Sequence, residues 1–227
     1  MELRDALRTT GSIRHFTDQP ISDALLSEIL DDARFAPSGG NRQAWRVIVV
    51  KDPAIRRAIA DAYLDAWHDY VAQLMVGLVP FSPLASEADR VAAGQQREAA
   101  EAASRPEGFA ETLADVPTML VVLADLRVLA ATDRDLERYQ FVGGASIYPF
   151  IWSVLLAAHD RGVGGVMTTV AITNEAALRD VLALPDHFAL ASVVALGYAT
   201  SRHTTLTRRP VDAFTTVDRV DGATFVR

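Results

Sequence analysis

A chain of 227 residues, half of them apolar, is long enough to bury a substantial core, and one domain spanning 1–227 is expected because single cores keep growing to about this size. A formal charge of −7, with Lys51 the only lysine, excludes the clustered basic surface that a phosphate backbone requires, so no nucleic-acid partner is expected. The absence of cysteine excludes disulfides, thiolate metal sites and cysteine nucleophiles and fits a cytoplasmic setting, while apolar runs such as 119–124 and 188–196 are too short to span a membrane, which takes roughly 20 residues.

The opening Met1-Glu2-Leu3-Arg4-Asp5-Ala6-Leu7-Arg8 alternates charges instead of following a basic segment with an apolar one; it reads as a short amphipathic helix, not a signal peptide. From Ser22, a good N-cap, Leu25, Leu26, Ile29, Leu30 and Ala33 recur at the spacing of one buried helix face, and Pro37 ends the pattern. The run 45–50 reads as a buried strand. Asp52-Pro53 then supplies a cap and a first-turn proline for a helix whose periodicity (Ile55, Ile59, Tyr63, Trp67, Val71) carries it to about Met75. Segment 76–115 has another character: Pro80, Pro83 and Pro106 interrupt it, one helix is predicted over 86–103, and little in it demands a deep core position, so it reads as a lid-like insertion. A second strand is predicted over 118–124. A long apolar helix over 144–161 is closed by Gly162, with Pro149 in its first turns because a deeper proline costs about 3 kcal/mol. Strands over 164–170 and 188–198 are separated by a helix capped at Thr173, and a polar tail over 199–227 carries Arg208-Arg209-Pro210. This is an α+β order in which helices outnumber strands.

Most familiar chemistries find no support. Gly162-Val163-Gly164-Gly165 follows a helix and opens a strand, the reverse of a dinucleotide-binding turn. Gly144-Ala145-Ser146-Ile147-Tyr148 lacks the second glycine of a nucleophile elbow. His15, His68, His159, His187 and His203 have no ligand spacing and read as surface or capping residues, so no metal is expected. Asp31-Asp32, Asp133 and Asp135 read as solvated carboxylates.

Two segments stand apart: Ser12-Ile13-Arg14-His15-Phe16 and Ala36-Pro37-Ser38-Gly39-Gly40-Asn41-Arg42-Gln43-Ala44-Trp45. Arg14 offers a permanent guanidinium suited to bidentate phosphate contact and Ser12 a short hydroxyl donor, although a lone Ser-x-Arg is usually a surface arginine beside a turn. Gly39-Gly40 permits close backbone approach, Pro37 stiffens the helix exit, and Asn41 and Gln43 carry paired donors and acceptors that suit the alternating N–H and C=O edge of a flavin; the plainer alternative is a helix C-cap turn feeding a strand.

Together these segments resemble the N-terminal signature of the nitroreductase superfamily of small FMN-dependent oxidoreductases. The resemblance implies a nitroreductase-like fold: a central, mostly antiparallel sheet flanked by helices, with a helical lid insertion at 76–115 and an extended C-terminal tail. It implies that Ser12, Ile13 and Arg14 hold the FMN phosphate, that Pro37, Ser38, Gly39, Asn41 and Gln43 lie against the flavin ring, that a strand brings Met167, Thr168 and Thr169 to the flavin edge, and that Arg208 is a second phosphate ligand. It further implies a homodimer with FMN at its interface, passing electrons from NADH or NADPH to a small planar acceptor such as a nitroaromatic or quinone in a ping-pong cycle. A specialised flavin dehydrogenase, a flavin-fragmenting enzyme and a non-catalytic flavin-sequestering protein are the alternatives. Trp67, Tyr70, Phe81, Tyr139 and Phe141 are candidates to stack on the acceptor, with core packing the role of at least half of them. The absence of a catalytic acid or base fits a flavoenzyme, whose cofactor carries the redox chemistry. Three departures stand out. Thr10-Gly11 replaces the arginine common before the serine, Ala44 replaces the proline before Trp45, and the insertion lacks the lysine of the iodotyrosine deiodinase lid, so dehalogenation is not expected.

Overall fold

The computed structural model describes residues 1–202 and 205–225, so His203 and the end of the tail lie outside the described residues. Its centre is a sheet of β1 (Trp45–Val50), β2 (Thr118–Asp125), β3 (Gly164–Thr168) and β4 (Phe188–Gly197) in the order β1-β2-β4-β3, with every neighbouring pair antiparallel. Among the described residues, seven α-helices surround it: α1 (Leu3–Thr9), α2 (Asp23–Ala33), α3 (Pro53–Met75), α4 (Glu87–Gly94), α5 (Arg97–Ala102), α6 (Tyr148–Asp160) and α7 (Glu175–Val181).

Strand alternation divides the core in two. Leu120, Val122 and Ala124 of β2 face α2 and α6 among Ile29, Ile151 and Val154, whereas Met119, Val121 and Leu123 face α3 and the end of the insertion among Ile59 and Leu113. Both faces of β2 are therefore covered, which is why its sequence is a continuous apolar run with no polar alternation. On the first face Trp45 stacks on Phe150, with ring centroids 4.8 Å apart and planes 8° from parallel.

Several predicted boundaries shift, each for a local reason. The helix predicted over 144–161 begins only at Tyr148, after a 3-10 turn at Val142–Ser146, because Pro149 cannot donate to a carbonyl four residues back and fits only in a first turn. Its other end is as expected: Gly162, at φ +76°, bonds His159 O at 3.1 Å and Val163 bonds Ala158 O at 2.9 Å, a left-handed glycine closure. The helix predicted over 86–103 is two helices, α4 and α5, broken after Gly94, whose missing side chain weakens helix continuity. Thr173 does not cap α7: its hydroxyl donates to Val170 O within the 3-10 turn Val170–Asn174, and α7 starts at Glu175.

The insertion is also less superficial than its composition indicates. Leu113 is fully buried, and Phe109 and Ala110 pack beneath α3. Arg56 pins this segment by donating to Ala114 O at 2.8 Å, to Val50 O at 3.2 Å and to Val116 O, and burial lowers its pKa. Asp133, read as solvated, is in fact 2% exposed. It accepts from Phe141 N at 2.8 Å, Val142 N at 3.1 Å and Arg138 Nη1 at 3.0 Å, and these bonds, the Phe141 N–H foremost, hold its carboxyl below the usual range.

His159, at the end of α6, links α1 to the start of the tail: Arg202 Nη1 lies 2.8 Å from its Nδ1 and Thr9 Oγ1 2.9 Å from its Nε2. Arg202 can only donate, so Nδ1 must be unprotonated and the ring neutral. Burial first, and then the Arg202 charge, lower its pKa against an opposing pull from Asp160. The unfolded chain therefore binds the extra proton more readily, and the stability this residue contributes is complete above about pH 6.5 and lost as pH falls through the lower folded value. Denaturant titrations at pH 7.5 and 5.5 should show a loss at pH 5.5 that His159→Gln diminishes; an unchanged pH response in that variant would remove His159 as its source.

Among the described residues, no helix is long and apolar enough to cross a membrane, and no group of three or more His, Asp or Glu is placed to hold a metal ion.

Candidate functional site

The 12–16 stretch runs along the free edge of β3. Ser12 bridges Gly165 in parallel, Ile13 N donates to Gly165 O at 2.9 Å, and Phe16 bridges Ala199 beyond β4. The approach is close because β3 opens with glycines: a Cβ at Gly164 would lie 2.9 Å from Ile13. Ile13 is buried, at 7% exposure, and Ser12 and Arg14, on either side of it, are exposed. Ile13 thus anchors the stretch while its neighbours face outward.

Arg14 points into a cavity of about 890 Å³ between this stretch, β3, α3 and the insertion. Met167 and Thr168 line it from β3, Tyr63, Trp67 and Tyr70 from α3, and the 103–111 segment closes it with Arg105 and Phe109. The α3 aromatics form a flat wall because they recur four and three residues apart on one helix face. Tyr63 and Trp67 stack with centroids 6.3 Å apart at 10°, and Trp67 and Tyr70 at 4.8 Å and 9°. Phe81 extends the row, 6.3 Å from Tyr70. Burial raises the Tyr63 phenol pKa, opposed by the neighbouring Thr168 side chain and by the Arg14 charge.

The 37–43 loop forms a separate group. Gly39 N donates to Ser146 Oγ at 3.0 Å, Gln43 N to Ser38 Oγ at 3.0 Å, and Gln43 Nε2 to Asn41 Oδ1 at 3.2 Å. Gly40, Asn41 and Gln43 adopt left-handed φ of 61°, 54° and 49°. For Gln43 this is strained backbone, of the kind that persists where surrounding structure enforces it and that gathers at ligand-binding sites. Asn41 and Gln43 are exposed, and the loop sits beside the Val142–Ser146 turn, outside the lining of the large cavity.

Of the residues singled out in the sequence, one protomer therefore brings Arg14, Met167 and Thr168 together, with Ser12 and Ile13 next to them on the β3 edge. Pro37, Ser38, Gly39, Asn41 and Gln43 form the second group. Thr169 is exposed just past β3, and Arg208 is exposed with its guanidinium on Thr207 O. Among the aromatics, Trp67 and Tyr70 line the cavity, while Tyr139 and Phe141, 70% and 68% exposed, do not. Sequence reasoning took Tyr63 only as a core position and overlooked Phe109 and Arg105. The recurrence of Tyr63, Trp67 and Tyr70 was the available signal for the wall.

The sequence pattern of the Nitroreductase family matches residues 7–198, which include β1–β4, the 12–16 stretch and the 37–43 loop. The chain belongs to the nitroreductase family. A protein of Thermus thermophilus named NADH dehydrogenase is 30% identical over 205 residues, covering 87% of each chain. The nitrobenzene nitroreductase of Ectopseudomonas oleovorans is 26% identical over 86% of each. Among solved structures, an FMN-dependent nitroreductase of Clostridium difficile superposes with a TM-score of 0.57 at 19% identity, covering 90% of this chain and 92% of that one, a likeness of fold.

Proposed function

We propose that this nitroreductase-family chain is an FMN-dependent oxidoreductase that takes electrons from NADH or NADPH and passes them to a planar acceptor such as a nitroaromatic or quinone. The observation that carries the reading is the cavity at the β3 edge: a permanent cation at Arg14, hydroxyls at Tyr63 and Thr168, and a flat aromatic wall line an open cleft of about 890 Å³, near the upper end of the usual range for ligand sites. That donor set fits a flavin, which has a polar edge, a planar ring and a dianionic phosphate. The names of the Thermus and Ectopseudomonas relatives support a nicotinamide donor and a nitroaromatic acceptor, and the Clostridium structure is named FMN-dependent.

When bound, FMN would supply the two-electron chemistry that no side chain here offers. Arg14 would hold negative charge on it, with Ser12 as a neighbouring donor, and Met167, Thr168 and Thr169 would border the ring. Trp67 and Tyr70 would orient a flat acceptor by stacking, and the 103–111 segment would exclude water from it. The 37–43 loop is displayed on a different part of the same protomer, so a homodimer in which each copy offers this loop to the other's cavity would complete the site. Its Asn41 and Gln43 would then face the ring. Arg208, on an exposed tail, would join as a second phosphate cation.

Anaerobic addition of NADH or NADPH to the FMN-loaded protein should bleach the flavin absorbance, and nitrobenzene or a benzoquinone should then restore it. Flavin that neither nucleotide bleaches would favour a sequestering role and overturn the catalytic reading.

A further inference from the structure

One side of the cavity is formed by a segment that has little apolar hold on the fold. Among the described residues, only Ala93 and Ala100 are buried between 76 and 108, and no large side chain is buried there before Phe109. Hydrophobic burial therefore contributes little to holding α5 on α3, since a methyl group removes little surface from water. Arg97 supplies the attachment instead. From α5 it donates through Nη2 to Asp65 Oδ1 at 2.6 Å and through Nη1 to Asp69 Oδ1 at 2.5 Å, two carboxylates about one turn apart on α3, and through Nε to Glu101 Oε1 at 2.8 Å. All three guanidinium nitrogens are thus committed to carboxylates. Asn174 Nδ2 steadies Asp65 from the other side, donating to its Oδ2 at 2.9 Å and to Ala62 O at 2.8 Å. Ser104 Oγ, 2.7 Å from His68 Nε2, is a further tie just past the end of α5. The charge is lopsided: one cation meets three carboxylates, so without Arg97 the acidic face of α3 would repel Glu101 and push α5 away. What α5 carries is the rim of the cavity, because Ala100, Ala103, Ser104 and Arg105 line it together with Trp67 and Tyr70.

We propose that Arg97 is a positioning residue, an ionic latch that holds α5 and the 103–108 segment against α3 and so limits the size of acceptor that the cavity admits. The acceptor role rests on the FMN reading above, whereas the latch itself does not. Exposed ion pairs weaken as salt screens them and apolar contacts are not screened, so the segment should loosen with ionic strength while the sheet stays closed.

The test joins hydrogen–deuterium exchange of the full-length protein to steady-state turnover, each in the unsubstituted protein and in Arg97→Gln. In the unsubstituted protein, amides of 97–108 should exchange faster at about 1 M than at about 0.05 M NaCl, while those of β2 stay protected. Arg97→Gln should exchange over 97–108 about tenfold faster at low salt, the scale of a few exposed ion pairs lost together. Salt should not accelerate it further, because only repulsion among the carboxylates is left to screen. In turnover, the ratio of kcat/KM for nitropyrene, a large polycyclic acceptor, to that for nitrobenzene should rise about tenfold in Arg97→Gln. Exchange over 97–108 that is the same in both proteins would overturn the latch, whatever the flavin does. Faster exchange with an unchanged acceptor ratio would overturn the control of acceptor size. A protein that takes up no FMN would overturn the FMN reading and the acceptor role with it, and the exchange comparison would still decide the latch.

Discussion

Replacing Arg14 with alanine should weaken FMN binding by about 2 kcal/mol, roughly thirtyfold in Kd, the scale of a charge-assisted hydrogen bond to a ligand. Thr10-Gly11 leaves no arginine just before Ser12 to share the charge, and Arg14 is the cation that the β3 edge brings to the cavity, with Arg105 lining it from the insertion. Quenching of flavin fluorescence on titration gives the number. Arg14→Lys should recover only part of the affinity, since an ammonium keeps the charge and loses the planar fork. Equal affinities for the unsubstituted protein and Arg14→Ala would remove Arg14 from the site.

Gly165→Ala should be strongly destabilising and should disturb the site as well. A Cβ there would lie 2.5 Å from Leu196 Cδ2, 2.9 Å from Ala195 O and 3.0 Å from Leu155 Cδ2, and the carbonyl among these belongs to β4 and cannot swing aside. Overpacking of this kind typically costs about 1–3 kcal/mol. The same residue accepts the Ile13 N–H, so relief of the clash by moving β3 would displace Ser12 and Arg14 and weaken FMN binding as well. Gly94→Ala, at a helical position with nothing within 4 Å, is the control and should stabilise by about 0.5–1 kcal/mol. Urea denaturation of the two variants should move the midpoint in opposite directions; a Gly165→Ala protein as stable as its parent would mean that the β3–β4 contact yields more easily than its geometry implies.

These two variants also mark how far the sequence could be read. The apolar run of β2 was legible because both faces of that strand are covered, and α2 was legible because its cap and its buried stripe coincide. Pro149 was placed correctly in a first turn, but the residues before it were not, since a proline states where a helix cannot continue backwards and not where the preceding chain goes. The insertion was misjudged because alanine-rich segments bury small residues as readily as they expose them: Ala93, Ala100 and Ala110 are all core. Asp133 is buried only because a loop returns eight and nine residues later to offer it two backbone donors, a long-range event with no local signature. For the site, the Ser12 and 37–43 motifs could be picked out by residue type, yet nothing in their spacing indicates that one protomer keeps them apart. Tyr63 escaped notice because helical periodicity describes a buried tyrosine and a buried phenylalanine in the same way.

A flavin in the cavity beside β3 is tested most directly by the visible absorption of the purified protein before and after titration with FMN. A bound spectrum with flavin bands, saturating at one FMN per chain and weakened in Arg14→Ala, is the predicted result. A protein that stays colourless and leaves the spectrum of added FMN unperturbed would contradict it.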